Sequence, residues 1–164
     1  MKKFLKFSIL FILISTLFLR CCATKTQPVQ VDFFAYKYVH EFKAEAELEG
    51  IDPEIINDSI QDIVFYPLDK NYYGLYSKIN KQIVLNSLYA YDTIVLKKTI
   101  YHELGHLYGL DHDTGGIMGT GISEEQIHKL YCPNDGGSDK IWEVHKAYLF
   151  YKIRKHLRDL DKSK

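Results

Sequence analysis

The chain has 164 residues, with 21 basic and 21 acidic side chains, so its formal net charge is zero. This balance argues against a nucleic-acid partner, because proteins that bind nucleic acids usually carry a clustered excess of lysine and arginine. The length suits one small domain with a single hydrophobic core. Two of the three cysteines stand near the N-terminus, which excludes a disulfide framework within the remainder of the chain.

The first 22 residues have the layout of an export signal. Lysines at the start precede an apolar run over residues 7–19, which Arg20 ends. A run of thirteen residues is too short to cross a bilayer comfortably. A basic start followed by a short apolar stretch is instead typical of a secretory signal peptide. We therefore expect residues 1–22 to be an export signal that is processed close to its C-terminal end.

Two adjacent cysteines follow the apolar run and resemble the processing site of a bacterial lipoprotein. Cys22 is the better lipid acceptor, because Leu19 stands three residues before it, whereas Cys21 directly follows an arginine. The resemblance implies a lipid anchor in a membrane, with residues 23–31 as a polar tether to the domain. The alternative is ordinary secretion with cleavage near Ala23, which would leave a periplasmic or secreted protein.

The next part of the chain predicts a helix and then three strands. Apolar residues at helical spacing indicate a helix over 32–48, and Gly50 lies just beyond its end. Segments rich in β-branched and aromatic residues indicate strands over 60–66, 73–77 and 82–86. We therefore expect an α+β domain over residues 32–164 with a small mixed sheet.

A second amphipathic helix is predicted after the strands. Asp92 is placed to cap its first turn, since an aspartate side chain accepts hydrogen bonds from the free N–H groups there. Apolar side chains recur along this segment at intervals of three and four, at Leu96, Ile100, Leu104 and Leu107. The helix therefore has one face to bury and an opposite face that is polar.

The polar face carries the pattern HExxHxxGxxH. Side chains four residues apart lie on one face of a helix, so His102 and His106 can bind the same ion. Glu103 points about 100° away around the helix and can reach a water on that ion without ligating it. Gly109 suits the left-handed conformation that ends a helix, and the reversed chain can return His112 as a third ligand.

Three imidazoles with a fourth position free are the arrangement of a catalytic zinc site rather than a closed structural one. Neutral ligands leave the ion its full charge for lowering the pKa of a bound water. The pattern therefore predicts one zinc ion, with Glu103 as general base and general acid in a hydrolysis.

From residue 92 to residue 118 the sequence resembles the metzincin zinc peptidases, and its motif HELGHLYGLDH is closest in wording to the matrixins. The resemblance implies that the three histidines ligate zinc, that Glu103 is the general base, and that Met118 is the Met-turn residue beneath the metal. It also implies a reduced metzincin-like fold, with an N-terminal subdomain over 32–112 and a helical C-terminal subdomain over 113–164.

The connection after the third histidine is short, and its details leave the subfamily open. Asp113 stands where adamalysins also have an aspartate and matrixins have a serine. It is a candidate to orient a ligand imidazole from behind, and the alternative is that it shapes the turn. Thr120 replaces the tyrosine that astacins and serralysins place two residues after their methionine, so no fifth ligand is expected.

Beyond the methionine the chain is predicted to be helical. Ser123 opens a capping-box sequence, and a longer helix is expected over 138–160. The family resemblance implies that substrate lies along the edge strand Gly74–Ser77 and that residues 119–123 wall the main specificity pocket. If Cys22 is acylated, Cys132 is expected to be an unpaired structural thiol. A disulfide between Cys22 and Cys132 requires an unmodified Cys22, and zinc ligation by Cys132 is a weaker alternative, because three histidines already suffice. No catalytic role is expected for the remaining histidines of this region, His128, His145 and His156.

Together these features predict an exported zinc metallopeptidase that hydrolyses peptide or protein substrates with a metal-activated water. Two alternatives stay open at this point. One is a noncatalytic zinc-binding surface lipoprotein, and the other is a zinc amidohydrolase acting on cell-wall peptides. Glu103 favours an enzyme over the first alternative, because a carboxylate beside the open position is needed for turnover but not for holding zinc.

Overall fold

The computed structural model of the chain describes residues 30–163. The predicted signal peptide over 1–22, the lipidation at Cys22 and the predicted tether up to residue 29 lie outside the described residues. Within the described part the chain is an α+β domain with a small mixed sheet, as the sequence predicts. No helix of residues 30–163 combines the length and the apolar character needed to cross a membrane.

The elements follow one another in an order close to the predicted one. The helices are α1 (Phe33–Leu48), α2 (Glu54–Ser59), α3 (Thr93–Leu107), α4 (Glu124–Tyr131) and α5 (Asp139–Lys162). The strands are β1 (Gln30–Val31), β2 (Asp62–Tyr66), β3 (Gly74–Ser77) and β4 (Gln82–Asn86). The three predicted strands and the three longer predicted helical segments are confirmed, with boundary shifts of one or two residues at most ends.

The sheet has the strand order β1-β2-β4-β3. β2 runs parallel to both of its neighbours, whereas β3 is antiparallel to β4 and forms one edge. β1 was not predicted, because a strand of two residues at the end of a polar segment is too short to show an alternating pattern. The helix α2 was not predicted either, since six residues are too few to establish a helical period.

The predicted capping residues open their helices. The Asp92 side chain accepts hydrogen bonds from the backbone N–H groups of Ile94 at 3.1 Å and Val95 at 3.0 Å. Asp32 caps α1 in the same way, and Ser123 and Gln126 form a reciprocal capping box on α4. These bonds satisfy donors that a helix cannot satisfy internally, and they fix where α3 begins relative to the sheet.

An aromatic cluster forms the core between α1, α3 and α5. The Phe42 ring lies 5.0 Å from the Tyr101 ring and 5.2 Å from the Phe150 ring, measured between centroids. The Tyr101 ring also lies 5.1 Å from Trp142 on α5. The contacts of Tyr101 with Phe42 and Trp142 are edge-to-face, and aromatic packing at these distances gives the rings fixed positions. The buried face of α3 is therefore held from behind, and its opposite face is free to carry polar chemistry.

Asn86, at the end of β4, organises the loop that leads into the edge strand β3. Its buried side-chain amide donates to the carbonyl oxygens of Tyr72 at 2.7 Å and Asp69 at 3.1 Å, and its side-chain oxygen accepts from the Leu88 N–H. A buried amide that is satisfied by backbone groups fixes the loop to the sheet. This loop borders the cleft in front of α3.

Candidate metal centre

Three imidazoles meet at the front of α3. The Nε2 atom of His106 lies 3.1 Å from that of His102 and 2.9 Å from that of His112. His102 and His106 come from successive turns of the helix, and His112 comes from the loop that follows it. The structure therefore brings the three predicted ligands together, as the spacing of the pattern requires.

In His102 and His106, the partner of the outer ring nitrogen, Nδ1, determines whether the inner one, Nε2, carries a proton or a lone pair. His102 Nδ1 lies 2.9 Å from the carbonyl oxygen of Ile117, and His106 Nδ1 lies 2.8 Å from that of Leu110. A carbonyl oxygen only accepts hydrogen bonds, so each Nδ1 carries the proton and donates it. The Nε2 atoms of these neutral rings then present lone pairs to each other across 3.1 Å with no proton between them.

Burial reinforces the neutral state of these rings. Burial lowers the pKa of His102 to about 3, with a further contribution from the charge of Lys98. The pKa of His106 is also lowered, again chiefly by burial. Two uncharged imidazoles that turn lone pairs toward one point repel each other unless a cation or a hydrogen-bond donor lies between them.

The arrangement fits a zinc ion. Zinc binds imidazole nitrogen at about 2.0–2.1 Å in a tetrahedral shell, which separates ligand nitrogens by roughly 3.3 Å. The three nitrogen atoms lie close to that spacing, and all fall within 4.8 Å of one another. Their ligating face opens on a cleft of about 900 Å³, so a fourth position is available to water or substrate. Three imidazoles with a fourth position open are the donor set that catalytic zinc sites use, whereas structural zinc sites have four protein ligands.

The chain reversal after α3 supplies part of this support. Gly109 has φ +83°, the left-handed conformation predicted for it, and its N–H donates to the His106 carbonyl at 2.9 Å. The next residue, Leu110, donates its own N–H to the Gly105 carbonyl at 3.1 Å and turns its carbonyl toward the His106 ring. The reversal therefore both ends the helix and fixes the orientation of the His106 ring, a candidate ligand.

Met118, the predicted Met-turn residue, packs against α3 at Gly105, on the helix that carries His102 and His106. It is buried, and a β-carbon placed on Gly105 would lie 2.5 Å from its sulfur. Leu149 of α5 approaches the same point, at 3.3 Å. The preceding carbonyl, that of Ile117, accepts the bond from His102. Gly105 was not singled out from the sequence, although an isolated glycine inside a helix is itself a sign of close packing.

Asp113 takes the turn-forming one of its two predicted roles. Its carboxylate accepts from the Thr114 N–H at 2.7 Å and forms an ion pair with Lys152 of α5 at 3.0 Å. Its N–H donates to the Met118 carbonyl at 3.0 Å, which closes the turn. The imidazoles of His102 and His106 are oriented instead by backbone carbonyls, whose positions the sequence does not reveal. Asp113 thus ties the Met118 turn to the last helix.

Glu103 lies beside the three histidines, in the wall of the same cleft. Its side chain is only 5% exposed. Burial raises the pKa of Glu103 to about 7, against the opposing effects of a hydrogen bond from the Tyr76 backbone N–H and of the charge of Lys98. The hydrogen bond from Tyr76 places the carboxylate against the edge strand β3, on the cleft that the three histidines also line.

The edge strand β3 crosses directly in front of α3. A β-carbon placed on Gly74 would lie 2.7 Å from a methyl carbon of Thr99 and 3.1 Å from a carboxylate oxygen of Glu103. Only glycine permits this approach without displacing the strand. The strand on which the family resemblance places the substrate is therefore at the edge of the sheet and in contact with the predicted general base.

Lys98 was missed by the sequence analysis, although it also faces the cleft. It stands four residues before His102 and is only 5% exposed. Its ammonium donates to the Gly119 carbonyl at 3.2 Å. The same i, i+4 spacing that relates His102 to His106 relates Lys98 to His102, and this is the pattern that could have identified it.

A second group of potential ligands lies on α4, around His128. Its ring nitrogens contact the Asp92 carboxylate at 2.7 Å and the Asp135 carboxylate at 3.0 Å. Cys132 and Glu124 lie within metal-binding reach of His128. His128 and Cys132 are four residues apart, the same spacing that relates His102 to His106. Because carboxylates occupy both ring nitrogens, the group is held together without an ion.

The chain matches no family model, no curated protein and no solved structure.

Proposed function

We propose that the chain is a zinc-dependent metallopeptidase with a reduced metzincin-like architecture. The observation that carries the proposal is the convergence of three imidazole nitrogens on one point at the floor of a cleft, with a buried carboxylate beside them. The Nδ1 atoms of His102 and His106 each donate to a backbone carbonyl. This fixes the tautomer in which Nε2 has a free lone pair, as metal binding needs.

His102, His106 and His112 would hold the ion. Zinc in such a site lowers the pKa of water and polarises a carbonyl group. Glu103 accepts a proton from the attacking water and delivers it to the leaving amide nitrogen. The approach of Gly74 to Glu103 keeps this carboxylate at the strand along which substrate would lie.

The edge of the sheet offers backbone groups for an extended peptide. The Asn86 N–H donates to the Tyr73 carbonyl at 2.9 Å, which sets the alternation of hydrogen bonds between β3 and β4. In that alternation the N–H and C=O of Gly74 and the C=O of Tyr76 point away from β4. A peptide that adds to this edge gains affinity from its main chain, irrespective of its sequence.

A catalytic role explains Glu103 better than a role in zinc binding alone. Burying a carboxylate is costly, and among residues 30–163 no lysine, arginine or histidine forms an ion pair with this one. A protein that only holds zinc has no need of a buried acid beside the open coordination position. The carboxylate therefore favours the enzyme over the noncatalytic zinc-binding lipoprotein.

The test is the variant Glu103→Gln, which removes the charge and keeps the volume. Loss of a general base lowers kcat/KM by about 10² to 10⁴-fold. We expect cleavage of a fluorescent casein and of a peptide library to fall by that factor, while zinc content measured by mass spectrometry stays at one ion per chain. The matched control is Glu125→Gln, which neutralises an exposed carboxylate on α4.

Three results contradict the proposal in different ways. Equal cleavage by Glu103→Gln and the wild type would remove Glu103 from the mechanism. One bound zinc with no cleavage of any peptide by the wild type would support the noncatalytic zinc-binding lipoprotein. Hydrolysis of cell-wall muropeptides without cleavage of linear peptides would support the amidohydrolase.

We further propose that the protein is exported and anchored to a bacterial membrane by a lipid on Cys22. The order of basic residues, apolar run and cysteine supports this proposal. Intact-mass spectrometry of the protein purified from membranes checks it. A chain that begins at Cys22 with an acylated mass is expected, and an unmodified Cys22 would contradict the anchor.

A further inference from the structure

Lys98 is a buried cation in the wall of the cleft that contains the candidate metal centre. It lies on α3, one turn before His102, and only 5% of it is exposed to solvent. An ammonium group has three N–H donors, and the Gly119 carbonyl at 3.2 Å accepts one of them. The remaining donors need partners, because an unsatisfied buried charge costs several kcal/mol or more.

No acidic side chain of residues 30–163 forms an ion pair with Lys98. Glu103 is the acidic group whose charge acts on it most, but the two groups are not within ion-pair distance. Burial lowers the pKa of Lys98 to about 8, which leaves the ammonium form predominant at neutral pH. The cleft therefore contains a positive charge without a carboxylate counterpart.

The neighbouring lysine on the same helix shows what a satisfied cation looks like here. Lys97 forms an ion pair with Glu41 at 3.2 Å and lies over the Trp142 ring, 4.9 Å from its centroid. It points away from the cleft, toward α1 and α5. The two adjacent lysines thus differ in their partners, and only Lys98 borders the space where substrate would lie.

We propose that Lys98 binds a carboxylate of the substrate near the scissile bond, and that the enzyme selects acidic peptides. The proposal rests on the function proposed above. The carboxylate can come from an aspartate or glutamate side chain or from a free C-terminus, since both present the same charged acceptor. Gly119 follows Met118 directly, so the ammonium group lies between α3 and the turn that contains Met118.

A purely structural lysine would act differently. Its bond to Gly119 would tie α3 to the turn, and removing that bond would change stability and zinc affinity but not the choice between charged and neutral peptides. Selectivity between a carboxylate and its amide analogue is therefore the readout that separates substrate binding from structural support.

The experiment compares peptides that differ only by glutamate or glutamine at each position flanking the cleaved bond, and peptides with a free or an amidated C-terminus. A charge-assisted hydrogen bond predicts a preference of about tenfold to hundredfold in kcat/KM for the acidic member. Lys98→Gln can keep the bond to Gly119 without the charge, and Lys98→Met removes both. Both variants are expected to bring the ratio close to one, while the control Lys97→Met keeps the wild-type ratio.

Peptide binding to the zinc-loaded Glu103→Gln protein, measured by calorimetry with and without the Lys98→Gln change, gives the same ratio without turnover. A Lys98-dependent preference in binding but no cleavage by the wild type would overturn the proposed function and keep this inference. Cleavage with a glutamate-to-glutamine ratio near one, unchanged by either Lys98 variant, would overturn the inference and keep the function. A preference within the glutamate and glutamine peptides would show that a side chain supplies the carboxylate. A preference for the free over the amidated C-terminus would show that the peptide C-terminus supplies it.

Discussion

The molecule contains two groups of potential metal ligands with opposite electrostatic character. At the front of α3, His102 and His106 donate from Nδ1 to backbone carbonyls and turn neutral Nε2 lone pairs toward one point. On α4, His128 directs both nitrogens at carboxylates. Burial lowers the pKa of His102, whereas the hydrogen bond to Asp92 raises the pKa of His128. The hydrogen-bond partners of the ring nitrogens thus determine whether a histidine keeps a free lone pair for a metal, as His102 and His106 do and His128 does not.

The two groups also differ in what lies behind them. The α3 group rests on Met118 and Leu149, which pack against Gly105 within the core. The His128 group lies in a shallow surface depression bordered by Glu124, Glu125 and Lys129. A rigid base keeps converging lone pairs in place, and an exposed group of mixed charges can satisfy itself. Proximity of ligand types alone is therefore a poor criterion for a metal site.

The largest expected effect that separates the two groups is on stabilisation by zinc. At 100 times its dissociation constant, a ligand that binds only the folded state adds about 2.7 kcal/mol to the free energy of unfolding. We expect zinc to raise the Tm of the wild type and of His128→Ala by several degrees. His106→Ala should lose that shift, because it removes a nitrogen that faces both other candidate ligands.

The measurement is a thermal melt of each variant with zinc and with a chelator. The melting temperature of each chelated variant serves as its own control for changes in intrinsic stability. A zinc shift that survives in His106→Ala but disappears in His128→Ala would reverse the assignment of the two groups.

A smaller effect concerns pH and the His128 group. The hydrogen bond to Asp92, assisted by that to Asp135, raises the pKa of His128 above its ordinary 6.5. A group with a raised folded-state pKa stabilises the fold in its protonated form. Its contribution is therefore complete below pH 6.5 and is lost as the pH rises through the folded-state value. The side chains of His128 and Asp92 are 28% and 17% exposed, so solvent screening keeps the contribution at about 1 kcal/mol or less.

Urea denaturation at a series of pH values measures this contribution as the difference in unfolding free energy between the wild type and His128→Gln. The difference should shrink as the pH is raised from 6.5. His40→Gln, a substitution on the exposed part of α1, is the matched control for a histidine without a carboxylate partner of this kind. A difference that grows with pH would show that His128 is neutral in the folded protein.

The sequence predicts the parts of the site that depend on local periodicity. The convergence of His102, His106 and His112 follows from helical spacing and from the glycine that ends α3. The caps at Asp92 and Ser123 follow from residue type and position. These features depend on a few consecutive residues, and such patterns are readable without tertiary structure.

The parts that could not be predicted depend on contacts between distant segments. The carbonyl of Ile117 reaches His102 only once the turn is folded, and backbone carbonyls have no residue-type pattern. β1 gains its identity from pairing with β2 rather than from its own two residues. The burial of Lys98 likewise results from packing of the segment around Gly119 over α3, whereas lysine by itself suggests a solvent-exposed side chain.

The most direct test of the zinc site is X-ray absorption at the zinc edge of the protein loaded with one equivalent of the metal. The three-histidine site predicts only nitrogen and oxygen neighbours at about 2.0–2.1 Å, with the multiple scattering of imidazole rings. His106→Ala should lose the bound ion or change this pattern. A sulfur neighbour at about 2.3 Å would place the metal on Cys132 and the His128 group. That result would contradict the assignment of His102, His106 and His112 as the zinc ligands.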